Sequence, residues 1–121
     1  MLCILRVSGA NLAVDEVIRN LGLRPYRSDA TCLHYEVAET KSDDSQAFLS
    51  KIASFLADNE QALQKLNRVA TVTDKRLDIA IFFRRDHAMK TLELGPTLLA
   101  QVVRLGLAVE FSVYSTETAA R

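Results

Sequence analysis

The sequence predicts one α+β domain over residues 1–121, on three observations. Segments that alternate apolar and polar residues, such as Cys3, Leu5, Val7 and later Leu77, Ile79, Ile81, Phe83, read as strands with one buried side. Between them, apolar residues recur at helical spacing, as in Val14, Val17, Ile18, Leu21 and in Leu98, Leu99, Val102, Leu105. Both of these helices close on the same stop, Leu21-Gly22-Leu23 and Leu105-Gly106-Leu107, where glycine takes the left-handed conformation without a Cβ clash.

In chain order, Leu2 to Ser8 is the first strand, and Ser8-Gly9-Ala10-Asn11 turns into a helix over about 13–21 with Asp15 and Glu16 at its positive end. Arg24-Pro25-Tyr26-Arg27-Ser28-Asp29 is a turn-rich connection. A second strand follows over 31–39, with Leu33, Tyr35 and Val37 on one face and Cys32, His34 and Glu36 on the other. After the polar link Lys41 to Ser45, the spacing of Phe48, Leu49, Ile52, Phe55, Leu56, Leu63 and Leu66 predicts one long helix, with a bend or restart near Asp58 to Gln61. Val69–Thr73 and Leu77–Arg84 are expected to be strands around Asp74-Lys75-Arg76, and Met89–Leu94 a short edge strand. Pro96 opens the last helix, over 96–105. The closing strand, 107–114, is expected to turn Val109, Phe111 and Val113 inward before a frayed tail at 115–121. This order predicts a ferredoxin-like sandwich: a four- to five-stranded, mainly antiparallel sheet covered on one face by three helices, including the long central one.

Taken together, Leu5 to Leu12, Glu16-Val17-Ile18, Leu21-Gly22-Leu23-Arg24-Pro25 and Leu105 to Tyr114 resemble a family of small bacterial proteins described only as a domain of unknown function. The family pattern runs strand, Ser/Tyr-Gly, short helix, Leu-Gly-x-x-Pro, long helix, closing helix and a strand ending in Tyr. The chain departs from it at Ala13-Val14, where relatives carry an acidic cap and proline, and at Arg27 to Thr31, where they carry a Lys-Gly-Asp-like turn and a tryptophan. The resemblance implies a small stand-alone module without established catalysis that engages a partner protein in an immunity-like or regulatory role.

A chain of 121 residues buries about two thirds of its unfolded surface and needs no metal or disulfide to hold it. Apolar residues make up 49% and charged residues 25%, as in an ordinary globular protein. Fifteen basic and fifteen acidic residues cancel, which removes the broad positive field that draws proteins to nucleic acid, and nucleic acid is not expected as a partner. The start of the chain lacks the basic region of a signal peptide, and the apolar run Ile79–Phe83 is too short to span a bilayer. A cytoplasmic protein without a membrane partner is expected, with Cys3 and Cys32 as reduced, buried thiols.

No nucleophile elbow, P-loop, dinucleotide fingerprint or zinc-ligand spacing is present, so the chain is expected to be non-enzymatic and to carry no cofactor or metal. The candidate binding residues are two arginine clusters. Arg24, Tyr26 and Arg27 flank an aromatic ring with guanidinium groups suited to a carboxylate or phosphate, and Arg84 and Arg85 add charge at a strand end. Loops and strand ends of this composition more often serve as turn chemistry and solvated edges. Ile4, Ala80 and Phe82, alternating with Arg6, Asp78 and Glu110, predict a mixed sheet face able to meet a protein partner or a second copy of the chain. The alternative is a small-molecule sensor resembling the ACT regulatory domains, with its ligand at the turn from Gly9 through Asn11 to Leu12.

Overall fold

The computed structural model describes residues 1–41, 44–84 and 91–116. Nine elements follow one another: β1 (Leu2–Ser8), α1 (Val14–Leu21), β2 (Arg27–Ser28), β3 (Cys32–Glu39), α2 (Ser45–Asp58), α3 (Glu60–Leu66), β4 (Asp74–Arg84), α4 (Pro96–Arg104) and β5 (Ala108–Thr116). The five strands form one open sheet in the order β2-β3-β1-β4-β5. β1 lies antiparallel to both β3 and β4, β2 antiparallel to β3, and β5 parallel to β4. The sheet is therefore mixed, because the crossover through α4 returns the chain in the direction of β4.

The core grows from the alternation of β1. Cys3, Leu5 and Val7 are fully buried and stand in register with Ile79, Leu77 and Lys75 of β4. On the β3 side they meet Ala38, Tyr35 and Leu33, with an irregularity between Cys3 and Ile4 that lets both Tyr35 and Ala38 reach the core. Val17, Phe48, Ile52, Leu63 and Val102 of the helices join the same core cluster.

Local chemistry sets the helix ends. α1 has no side-chain cap at Ala13, but the Ala13 N–H donates to Thr71 Oγ1 (3.1 Å), and Gly22 closes the helix at φ 64° with its N–H on the Ile18 carbonyl. Asp44 caps α2 by accepting from the Ala47 N–H at 3.0 Å. The predicted long helix breaks in two at Asn59 (φ −114°, ψ 17°), whose side-chain amide donates to the Phe55 carbonyl at 2.9 Å. Four helices result where three were expected.

The segment predicted as a strand at 69–73 is instead a turn that wraps Gly9. Thr73 N–H donates to Ser8 O (2.9 Å), and a Cβ on Gly9 would stand 1.9 Å from Thr71 O. The strand begins at Asp74 and runs unbroken to Arg84, so the expected turn at Asp74-Lys75-Arg76 lies inside β4. Lys75 is buried there: its ammonium donates to Leu105 O (2.8 Å) and to Asn67 Oδ1, tying the ends of α4 and α3 to the sheet. Residues 91–94 carry no strand, while the rest of the expected edge strand, 89–90, lies outside the described residues, as does the tail from 117.

β5 differs from expectation in a second way. Phe111 and Val113 share the face of Ile79 and Ile81 by register, yet are 48% and 67% exposed. Phe111 stands opposite buried Ile79 and Val113 opposite Ile81, which packs at the core's margin, so along this stretch the core ends at β4 and the outer strand leaves its side chains uncovered.

Candidate functional site

The second face of the sheet is a grid whose rows are set by register. One row reads Arg27, His34, Arg6, Arg76 across β2, β3, β1 and β4, ending at Ala108 of β5. At about 4.8 Å per strand it is roughly 14 Å long from Arg27 to Arg76. The row on one side reads Cys32, Ser8, Asp74, and the row on the other Glu36, Ile4, Asp78, Glu110. A basic rung thus lies between rows that carry acids.

The β4 half of this rung is closed by ion pairs. Arg76 holds Asp74 in a two-point contact (Nε to Oδ2 2.6 Å, Nη2 to Oδ1 2.9 Å) and reaches Glu110 Oε1 at 2.8 Å. Arg6 Nη2 lies 2.6 Å from Glu110 Oε2 and 3.6 Å from Asp78 Oδ2. The hydrogen bond from Arg76 holds the Asp74 carboxyl below its usual range, and the same partners push the guanidinium further up.

The β2–β3 half is open. Among the described residues neither Arg27 nor His34 has a carboxylate at ion-pair distance, and Arg6 Nε is buried without a hydrogen-bond partner. Burial, reinforced by the charges of Arg27 and Arg6, lowers the His34 pKa. The His34 ring lies edge-on to Tyr26, 5.9 Å between centroids. The hairpin that presents these groups is fixed by Asp29, whose Oδ1 accepts from the Thr31 N–H, the Thr31 hydroxyl and the Cys32 N–H at 2.8–3.0 Å. The backbone bond to Thr31, the largest cause, lowers the Asp29 pKa. Arg6, Ser8, Cys32, Asp74, Arg76 and Glu110 line a shallow depression of about 460 Å³ beside the rung.

Of the residues singled out from sequence, Tyr26 and Arg27 stand at this site, and Arg24 lies exposed in the connection leading to it. Arg84 is eight residues along β4 from Arg76, or about 26 Å, so it and Arg27 serve no common anion site. Arg85 lies outside the described residues. Asn11 is exposed, but the Gly9 turn is filled by the chain itself: Thr71 O packs on Gly9, and the Gly9 N–H donates to Thr31 O at 3.0 Å. Cys32, expected to be buried, is partly exposed on the depression, whereas Cys3 is fully buried; both are free thiols. Burial raises both thiol pKa values, Cys3 to about 12, which works against thiolate chemistry. Arg76 was hidden by the expected turn, though the period-two spacing of Asp74, Arg76 and Asp78 would have placed it on this face.

Among the described residues no group of three His, Cys, Asp or Glu could hold a metal ion, and no helix is long and apolar enough to cross a membrane. Compared with known proteins, the chain, a small α+β protein with an open five-stranded mixed sheet and four helices, matches no family model, no curated protein and no solved structure.

Proposed function

We propose that this chain is a non-enzymatic interaction module of ferredoxin-like layout that receives an acidic side chain of a protein partner on the open half of the basic rung. The observation that carries the reading is the asymmetry of that rung: Arg76 and the Nη2 of Arg6 are neutralised within the chain, while among the described residues Arg27 and His34 have no carboxylate at ion-pair distance and the Nε of Arg6 is buried without a hydrogen-bond partner. A carboxylate seated there would gain charge-assisted hydrogen bonds from groups that are already positioned by strand pairing. A protein partner is favoured over nucleic acid because Asp74, Asp78 and Glu110 share the face and would repel a run of phosphates. Strands β4-β1-β3-β2, antiparallel throughout and linked through α1 and α2–α3, support the ferredoxin-like layout, and the polar grid on one sheet face supports helix cover on the other. A cytoplasmic setting accords with two free thiols. The ACT-like alternative ranks below, because the Gly9 turn is packed by Thr71 and its N–H is bonded within the chain.

The test is titration at low salt with a short, otherwise neutral peptide that carries one glutamate. Arg27→Glu should weaken binding at least tenfold, and Arg68→Glu, an exposed charge outside the site, should leave it within twofold. Equal losses in both variants, or no binding to the wild type, would remove the proposal. Because a bound carboxylate raises the depressed His34 pKa, binding takes up protons, and affinity should rise as pH falls from 7 through the region just below 6.5.

A further inference from the structure

A different surface, the β5 flank, carries a second inference. β5 has a strand neighbour on one side only among the described residues. Long open edges in soluble proteins are guarded by lysine, proline or a bulge. Ala108–Thr116 contains neither lysine nor proline, and its one charge, Glu110, is turned onto the polar face to bond Arg6 and Arg76. On the opposite face Phe111 and Val113 are exposed, and α4 stands on that side, since the Lys75 ammonium, in line with buried Val7, bonds Leu105 O at the end of α4. α4 itself exposes Leu99 (45%) and Val103 (77%).

We infer that a second copy of the chain covers this flank, with β5 pairing antiparallel to β5 of that copy about a two-fold axis perpendicular to the sheet. Such an axis sets side chains of the same face opposite one another and so passes through a residue position. Ser112 is the midpoint of Ala108–Thr116, and an axis there pairs the whole strand. Phe111 of each copy then faces Val113 of the other, an aromatic and β-branched pair of the kind that stabilises sheets, and Glu110 faces Tyr114 rather than its own copy. Leu99 and Val103 of the two α4 helices meet above the joined strands. Nine residues of strand run about 30 Å, and with one helix layer of about 10 Å diameter the flank measures roughly 30 by 20 Å. That is the lower end of a standard interface, which buries about 600–1,000 Å² per partner.

Sedimentation velocity tests the inference. The wild type at ~100 µM should sediment as twice the 13.5 kDa chain, and the double variant Val103→Glu, Val113→Lys, altered only at exposed positions, should sediment as a monomer with an unchanged far-UV spectrum. Amide exchange of the wild type checks the strand itself: protection at Phe111 and Val113 should increase with protein concentration. A wild-type monomer at ~100 µM, a dimer that survives the double variant, growth into larger polymers, or concentration-independent exchange in β5 would each overturn it.

Discussion

Gly9 has a carbonyl oxygen where any other residue would carry its Cβ, and this one position holds the 67–73 turn against the end of β1. Gly9→Ala should therefore lower stability by about 3 kcal/mol, read from the midpoint of urea unfolding, while Gly95→Ala, with open space at its Cβ, should change it little. Tyr35 presents the reverse case. Its ring is fully buried, its hydroxyl has no partner among the described residues, and burial pushes its pKa up to about 12. Removing an unsatisfied buried hydroxyl relieves a desolvation cost, so Tyr35→Phe should leave stability unchanged or raise it by about 1 kcal/mol in the same measurement. Asp74 sets a pH response. Its folded pKa lies below the unfolded value, so its contribution is complete above the unfolded pKa of about 3.9 and fades as pH falls through the folded value. The pair with Arg76 is partly solvated, which keeps that contribution small. Asp74→Asn should flatten the stability profile below pH ~4, and an unaltered acid limb would contradict the assignment.

At the scale of elements, the helix ends show what is legible in a sequence. Gly22, Gly106 and Pro96 mark boundaries by backbone chemistry that acts within a residue or two, and the structure places α1 and α4 within a residue of the predicted spans. The same holds for β1 and β3, whose alternation matches a half-buried sheet. Legibility ends where distant contacts decide. Val69–Thr73 has the composition of a strand, but Gly9 and Ser8, some sixty residues earlier, draw it into a turn. Arg27–Ser28 is a strand only because β3 offers it an edge, and the parallel pairing of β5 follows from the crossover, which no local pattern encodes. The basic rung combines both situations. Arg6, Asp78 and Glu110 were readable on one face, whereas the alignment of Arg27, His34, Arg6 and Arg76 needs the register of four strands. Asp44 belongs to this scale as well: Asp44→Ala removes the cap on the Ala47 N–H and should cost about 1 kcal/mol, visible as a lower melting temperature.

For the molecule as a whole, Cys3 reports on global opening. It lies on the central strand, fully buried, with its thiol pKa near 12, so a thiol reagent should reach it only through unfolding, while partly exposed Cys32 reacts from the native state. Labelling of Cys3 should slow in proportion as the unfolded population shrinks; rapid labelling independent of stability would show that the centre opens locally. The same centrality has a consequence for biosynthesis. β1 leaves the ribosome before either of its sheet neighbours, so one flank waits for residues 32–39 and the other for residues 74–80. Until then the nascent chain displays a bare edge of its most aliphatic ribbon, a period in which chaperone protection matters most, and a polypeptide released before β4 is translated would be left sticky.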